Sequence, residues 1–402
     1  MREEFIDSLI KAEKSKIILV VIDGVGGLAL PGGKGTELQI ANTPNLDALA
    51  TESSCGLLEP IGAGITPGSG PAHLALFGYD PIKNNMGRGI LSALGTGFNL
   101  TSDDVAARVN FATVDEKGRV LDRRAGRIKT ELNKKLCEKI LKNIKLDPSI
   151  KFFLYPEKDY RAVLILRGDD LWGDLVDTDP QKIGVVPLQP KATNTRSKKT
   201  AKIVSDFISQ VRIILADEKL ANMILLRGFD KYIPFKSIKE RYSLKALAIA
   251  EYPMYKGMAK LLGMEIAKNI SGLDSQIEAL KKNYDKYDFF FFHIKKTDSF
   301  GEDGDFDAKV KEIEKVDAMI PEIVELNPDV LVVTSDHSTP ALLRYHSWHP
   351  VPVVIKSIYA RKDSVTKFDE ISCANGILGL KPTTDLMPLA LACANRLKKF
   401  GA

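Results

Sequence analysis

Residues 329–340 read DVLVVTSDHSTP. Val330 to Thr334 form an apolar, β-branched run of the kind found in strands buried on both faces. The run stops at Asp336 and His337, adjacent in sequence. A buried strand that ends at a carboxylate and an imidazole is suited to holding a divalent ion. For a single Asp-His pair an ordinary polar loop is the better reading. Repetition along the chain shifts the weight. KIILVVI at 16–22 ends at Asp23-Gly24, and DFFFFHI at 288–294 is followed by Asp298. His346, in HSWHPVPVVI, leads into the apolar run Val351 to Ile355. Three of the five histidines, His337, His346 and His349, fall in this one window. Acidic and imidazole side chains at the carboxyl ends of buried strands predict an open α/β sheet with its site along that edge.

The rest of the composition narrows the class. At 402 residues the chain exceeds one ordinary core, so two domains are expected. Apolar residues make up 44% and charged residues 27%, as in a water-soluble globular protein. A net charge of +5 is too small for a general nucleic-acid binder. Cys55, Cys137, Cys373 and Cys393 lie far apart without a CxxC spacing, which excludes a zinc ribbon and points to a reducing compartment. No apolar run approaches the roughly 20 residues of a membrane helix. MREEFIDSLIKAEKSK lacks the apolar core of a signal peptide, so a cytoplasmic protein opening on a short helix is expected.

Taken in order, GVGG after Asp23 is not a dinucleotide fingerprint, because its glycine spacing is wrong. Asn42 to Glu52 predicts a helix with Pro44 in its first turn. Thr66 to His73, TPGSGPAH, places Ser69 near a helix N-terminus, where free N–H groups favour an anion. Ser69 is by default a cap; beside a bound metal it becomes a nucleophile. From about residue 80 the character changes. Gly87 to Gly97 reads as a linker, Arg108 to Val114 as a strand, and Asp122 to Arg127, DRRAGR, as a guanidinium cluster. Arginine forks match phosphate and carboxylate, although such clusters are more often a solvated face. RAVLILRG at 161–168 and NMILLRG at 222–228 are strands ending in Arg-Gly. Residues 80–285 therefore read as an inserted α+β domain, and 1–79 with 286–402 as the α/β core. Lys256 sits early in a helix near Tyr255. Lys295 to Asp305 reads as an acid-rich loop without calcium-loop spacing. Helices are expected at Lys309 to Glu325 and Asp385 to Lys399.

Asp23, Asp298, Asp336, His337 and His346 thus predict a site for two divalent ions around Ser69, with mixed Asp/His ligation favouring manganese or zinc over magnesium alone. The same residues carry a resemblance. Asp23-Gly24, GSGPAH at 68–73, Thr297-Asp298, SDH at 335–337 and HSWHPVP at 346–352 resemble the alkaline phosphatase superfamily. Together with FGYDP, DRRAGRI, DTDP, YKGMAKLLGM and HSWHPVPVVI, they are most similar to the archaeal-type cofactor-independent phosphoglycerate mutases. The resemblance spans nearly the whole chain. It implies an alkaline-phosphatase-like open sheet with helices on both faces. It further implies interconversion of 3- and 2-phosphoglycerate through a phosphoserine, with two metal ions (Mn²⁺ first; Mg²⁺, Co²⁺ or Zn²⁺ next) and no 2,3-bisphosphoglycerate.

Residue by residue, the resemblance puts Asp23, Ser69, Asp336 and His337 on one metal, and Asp298 and His346 on the other. Arg123, Arg124, Arg127, Arg161, Arg227 and Lys256 would grip phosphate and carboxylate, and Asp122 the glycerate hydroxyls. Ser69, Lys256 and Arg227 are the residues expected to act in catalysis, with the inserted domain closing over the site to exclude water. One departure stands out: the family pattern Asp-x-x-Gly-His reads Asp298-Ser299-Phe300-Gly301-Glu302 here. Glu302 is therefore expected to ligate in place of an imidazole and to favour harder ions. The competing readings are a metal-dependent phosphatase or phosphopentomutase of the same superfamily, and a non-catalytic phosphometabolite-binding protein. The expected partner is a small phosphoglycerate, with no nucleic acid or membrane, in a monomer or homo-oligomer.

Overall fold

The computed structural model describes residues 2–84 and 87–401. Its strands begin with β1 (Ile17–Ile22), β2 (Ser54–Glu59), β3 (Asp104–Val114), β4 (Val120–Asp122), β5 (Lys151–Pro156), β6 (Arg161–Arg167) and β7 (Met223–Lys231). They continue with β8 (Ala246–Ile249), β9 (Glu265–Ile266), β10 (Phe289–Ile294), β11 (Val330–Thr334), β12 (Val351–Lys356) and β13 (Gly379–Pro382). The chain divides into two compact units, Met1–Asn85 with Lys236–Ala402, and Met86–Phe235.

The larger unit holds an eight-stranded sheet in the order β13-β2-β12-β11-β1-β10-β8-β9. β9, β8, β10, β1 and β11 run parallel, and β12 pairs antiparallel to β11. Every residue of β1, β10 and β11 is buried, as expected for central strands covered on both faces. Ile18, Val20, Ile22, Phe290, Phe292, Leu331 and Val333 join one core cluster with Ile313, Val316 and Ile320 of the helix Phe306–Val324. The parallel direction brings the carboxyl ends of β1, β10 and β11 to one edge. Because β12 is reversed, the segment entering it reaches that same edge.

The smaller unit is an antiparallel sheet, β4-β3-β6-β5 with β7 also on β3. Strand alternation sorts β3 cleanly. Val105, Ala107, Val109 and Phe111 pack with Leu136, Ile140, Val204 and Phe207 of the helices Thr130–Asn143 and Lys198–Ile214. Arg108 and Asn110 alternate to the opposite face.

Four expectations are corrected. The presumed linker at 87–97 contains a helix, Arg88–Gly95, with Ile90, Ala93 and Leu94 buried. The acid-rich stretch after β10 is also a helix, Lys296–Asp303. The last helix, Leu386–Cys393, is shorter than expected, and Asn395 beyond it is left-handed. Residues 236–285 belong to the larger unit, since β8 pairs with β10 and β9 with β8. Among the described residues no helix is long and apolar enough to cross a membrane.

Candidate active site

Asp23 leaves the end of β1 fully buried. Its Oδ2 accepts from the Tyr255 hydroxyl and faces Lys295 Nζ at 3.2 Å and His293 Nε2 at 3.4 Å. Its Oδ1 has no hydrogen-bond partner among the described residues and lies 3.5 Å from His337 Nε2. Burial pushes the Asp23 carboxyl up, but His293, Lys295 and His337 override it and hold the group well below its usual range. Asp336, past the end of β11, is equally buried, and its Oδ2 lies 3.1 Å from His337 Nε2 without a hydrogen-bond partner among the described residues. Burial pulls the His337 imidazole down, yet Asp336, Asp23 and Asp298 outweigh it and hold the ring at about 9.

Asp298 and Glu302 stand one helical turn apart on Lys296–Asp303 and so share a face. Asp298 Oδ1 is 3.6 Å from His346 Nε2. Glu302 Oε1 is 3.8 Å from the same nitrogen, with its side chain 55% exposed. His346 donates its Nδ1–H to the Pro67 carbonyl at 2.9 Å, which turns the Nε2 lone pair toward these carboxylates. The rings of His337 and His346 stack at 3.6 Å. Lys295 Nζ also contacts Asp298 Oδ2, so one ammonium bridges Asp23 and Asp298. His349 instead faces Ser347 Oγ at 3.0 Å and stacks on Trp348.

Ser69 opens the helix Ser69–Leu76, with Gly68 at its N-cap. Its Oγ lies 3.5 Å from His337 Nε2. His73, one turn on, hydrogen-bonds the Ser69 carbonyl through Nδ1 at 2.8 Å and lies 3.3 Å from Asp336 Oδ2. Burial drives His73 down to about 4, so the ring is neutral at physiological pH. His73 thus links the Ser69 backbone to the Asp336 carboxylate.

Among the described residues, two groups have ligand atoms close enough to hold an ion: Asp23, Asp336 and His337; and Asp298, His337 and His346. Buried carboxylates whose oxygens lack partners are expensive unless a cation meets them. The unpartnered Asp23 Oδ1 and Asp336 Oδ2, with the inward His346 Nε2, fit divalent ions taking mixed O/N ligands. Glu302 stands outside both groups.

In the smaller unit a cavity of about 160 Å³ is lined by Arg88, Arg108, Arg123, Arg124, Arg161 and Arg227, with Asn110 and Tyr160. Cross-strand register builds it. Arg108 on β3 pairs with Arg227 on β7, and Asn110 with Arg161 on β6. Burial, then the neighbouring Arg161, lowers the Arg108 pKa, and Glu157, 3.9 Å from Arg108 Nε, only partly opposes them. Arg123 gives its fork to Asp179, with both bonds at 2.8 Å. Arg127 is exposed and does not line the cavity. Asp122 accepts from the Arg124 and Gly126 amides at 2.7 and 2.6 Å, so its carboxylate holds a turn. Lys256 belongs to the larger unit, on Pro253–Leu261 next to Tyr255. Sequence reasoning missed Arg88, Arg108, Tyr255, Lys295 and Thr339. Only Lys295, directly after β10, had a positional signal.

A family model described as 2,3-bisphosphoglycerate-independent phosphoglycerate mutase matches residues 50–221. A Thermotoga protein called a probable 2,3-bisphosphoglycerate-independent phosphoglycerate mutase is 51% identical, over 100% of this chain and 99% of its own. The chain belongs to that family. A probable mutase of the family from Thermus thermophilus is 50% identical over 96% of each chain. Among solved structures, a Pyrococcus horikoshii protein matches with a TM-score of 0.82 at 30% identity, covering 97% of this chain and 100% of that one. The cofactor-independent phosphoglycerate mutase of Thermoplasma acidophilum matches at 0.72 and 28%, covering 94% and 100%. The α/β architecture is thus that of the phosphoglycerate mutase family.

Proposed function

We propose that this chain interconverts 3-phosphoglycerate and 2-phosphoglycerate through a phosphoserine at Ser69. The observation that supports it most is the Ser69 hydroxyl, 3.5 Å from His337 Nε2 within a buried set of carboxylates and imidazoles. Asp23, Ser69, Asp336 and His337 would hold one divalent ion, and Asp298, His346 and Glu302 a second, Mn²⁺ before Mg²⁺, Co²⁺ or Zn²⁺. Bound there, such ions lower the pKa of the serine hydroxyl and neutralise charge on the phosphoryl oxygens.

The remaining work falls to the chain. Ser69 Oγ gives up its proton and bonds to phosphorus as the ester P–O bond breaks, and the departing glycerate oxygen takes up a proton. The other glycerate hydroxyl then gives up its proton and attacks phosphoserine, and the released Ser69 oxygen takes up a proton. Atoms balance with no 2,3-bisphosphoglycerate. Arg124, Arg161 and Arg227, joined by Arg88 and Arg108, offer paired donors for the substrate's carboxylate and phosphate. Arg123, committed to Asp179, orients that cleft. Keeping water from the phosphoserine separates a mutase from a phosphatase.

Purified protein with Mn²⁺ and 3-phosphoglycerate, coupled to enolase, should produce phosphoenolpyruvate, and Ser69→Ala should abolish it with metal content intact. Release of inorganic phosphate instead would make the protein a phosphatase, and substrate binding without turnover a binding protein. Glu302 is proposed to favour Mn²⁺ or Mg²⁺ over Zn²⁺. Reconstitution in which Zn²⁺ wins throughout would remove that role.

A further inference from the structure

We propose that Thr339 is a positioning residue whose single hydroxyl joins the two ligand groups and decides which nitrogen of His337 is free to ligate. The inference rests on the reading of Asp23, Asp298, Asp336, His337 and His346 as metal ligands. Thr339 Oγ1 lies 2.6 Å from Asp298 Oδ1 and 3.0 Å from His337 Nδ1. The Thr339 hydroxyl donates its proton to Asp298 Oδ1. The oxygen must then accept, which makes His337 Nδ1 the donor. Nδ1 is thereby committed, and Nε2 is left facing Asp23 Oδ1, Asp336 Oδ2 and Ser69 Oγ. His337 lies near both groups, yet it serves the Asp23–Asp336 group only. Asp298 and His346 must complete their coordination elsewhere, and Glu302 is the adjacent carboxylate.

The rest of Thr339 is held independently of its hydroxyl. It is fully buried. Its amide donates to the Gly26 carbonyl at 3.1 Å, and its carbonyl accepts from Lys309 Nζ at 2.9 Å. The same ammonium bonds the Gly26 carbonyl at 3.0 Å and so clamps the loop after Asp23 to the loop after His337. A side chain at Gly24 would come within 2.5 Å of Thr339 Oγ1, and one at Gly301 within 2.2 Å of the Thr339 carbonyl. The two glycines leave room for this threonine in one pose. Removing the hydroxyl alone therefore removes the relay while its frame stays in place.

The test compares wild type, Thr339→Val and Thr339→Ser as full-length proteins. Mn²⁺ binding is measured calorimetrically, and the Co²⁺ absorption spectrum reports ligand geometry. Loss of an outer partner of this kind weakens metal binding about 10- to 100-fold. Thr339→Val should show that loss at both ions and an altered Co²⁺ spectrum, and Thr339→Ser should restore both. If valine prevents folding, Thr339→Ala deletes the same hydroxyl with less bulk and is read the same way. Two ions bound by the hydroxyl-free variant within twofold of wild type, with an unchanged spectrum, would overturn the inference. So would failure of serine to rescue, since that assigns the loss to packing. A wild type that binds no divalent ion would instead remove the metal-site reading itself.

Discussion

Asp23 shows how much of this site a residue owes to neighbours that carry no ligand signature of their own. One oxygen is taken by Tyr255 and Lys295, and the other faces His337. Tyr255→Phe removes one neutral donor and leaves the stacking on His293, whose ring centroid lies 3.7 Å away. The expected outcome is a fold-intact protein with Mn²⁺ affinity lower by about tenfold; unchanged affinity in calorimetry would show the hydroxyl does not orient Asp23. Asp23, Asp298, Asp336, His337 and His346 were legible because buried strands point at them. Tyr255 and Thr339 were not, because a hydroxyl's role depends on which carboxylate the fold brings to it. Glu302 was legible only as a departure from a pattern. Its helical i, i+4 relation to Asp298 emerged once 296–303 proved to be a helix.

Among the elements, the helix Arg88–Gly95 is the most instructive error. Its glycines suggested flexibility, but Gly89 is there for contact. A Cβ at that position would sit 2.3 Å from the Ala106 carbonyl on β3. The close approach is a tertiary fact that no local pattern encodes. Gly89→Ala should therefore destabilise the protein by about 1–3 kcal/mol, despite alanine's better helix propensity. Denaturant titration showing equal or greater stability would contradict the close contact. The central strands were legible for the opposite reason: β1, β10 and β11 are apolar throughout because both faces are covered. Phe290→Ala should cost about 3–5 kcal/mol in the same measurement.

Across the whole molecule, the sheet order and the division of the chain were the least legible. Residues 236–285 follow the arginine-rich strands without a break in composition. Only the non-local pairing of β8 with β10 returns them to the larger unit. The arginine cleft was half legible for a similar reason: Arg161 and Arg227 end strong strand patterns, but their partners are set by register with β3. Because the proposed ions would bind only the folded ligand set, EDTA should lower the thermal midpoint and Mn²⁺ should restore it in a concentration-dependent way. A midpoint indifferent to both would count against the site. The central claim is covalent, and it is tested most directly by acid-quenching the Mn²⁺-loaded protein during turnover of 3-phosphoglycerate and mapping the modified peptide by mass spectrometry. The account predicts one added HPO₃ on Ser69, absent from Ser69→Ala. Turnover with Ser69 never phosphorylated, or with the phosphate on another residue, would contradict it.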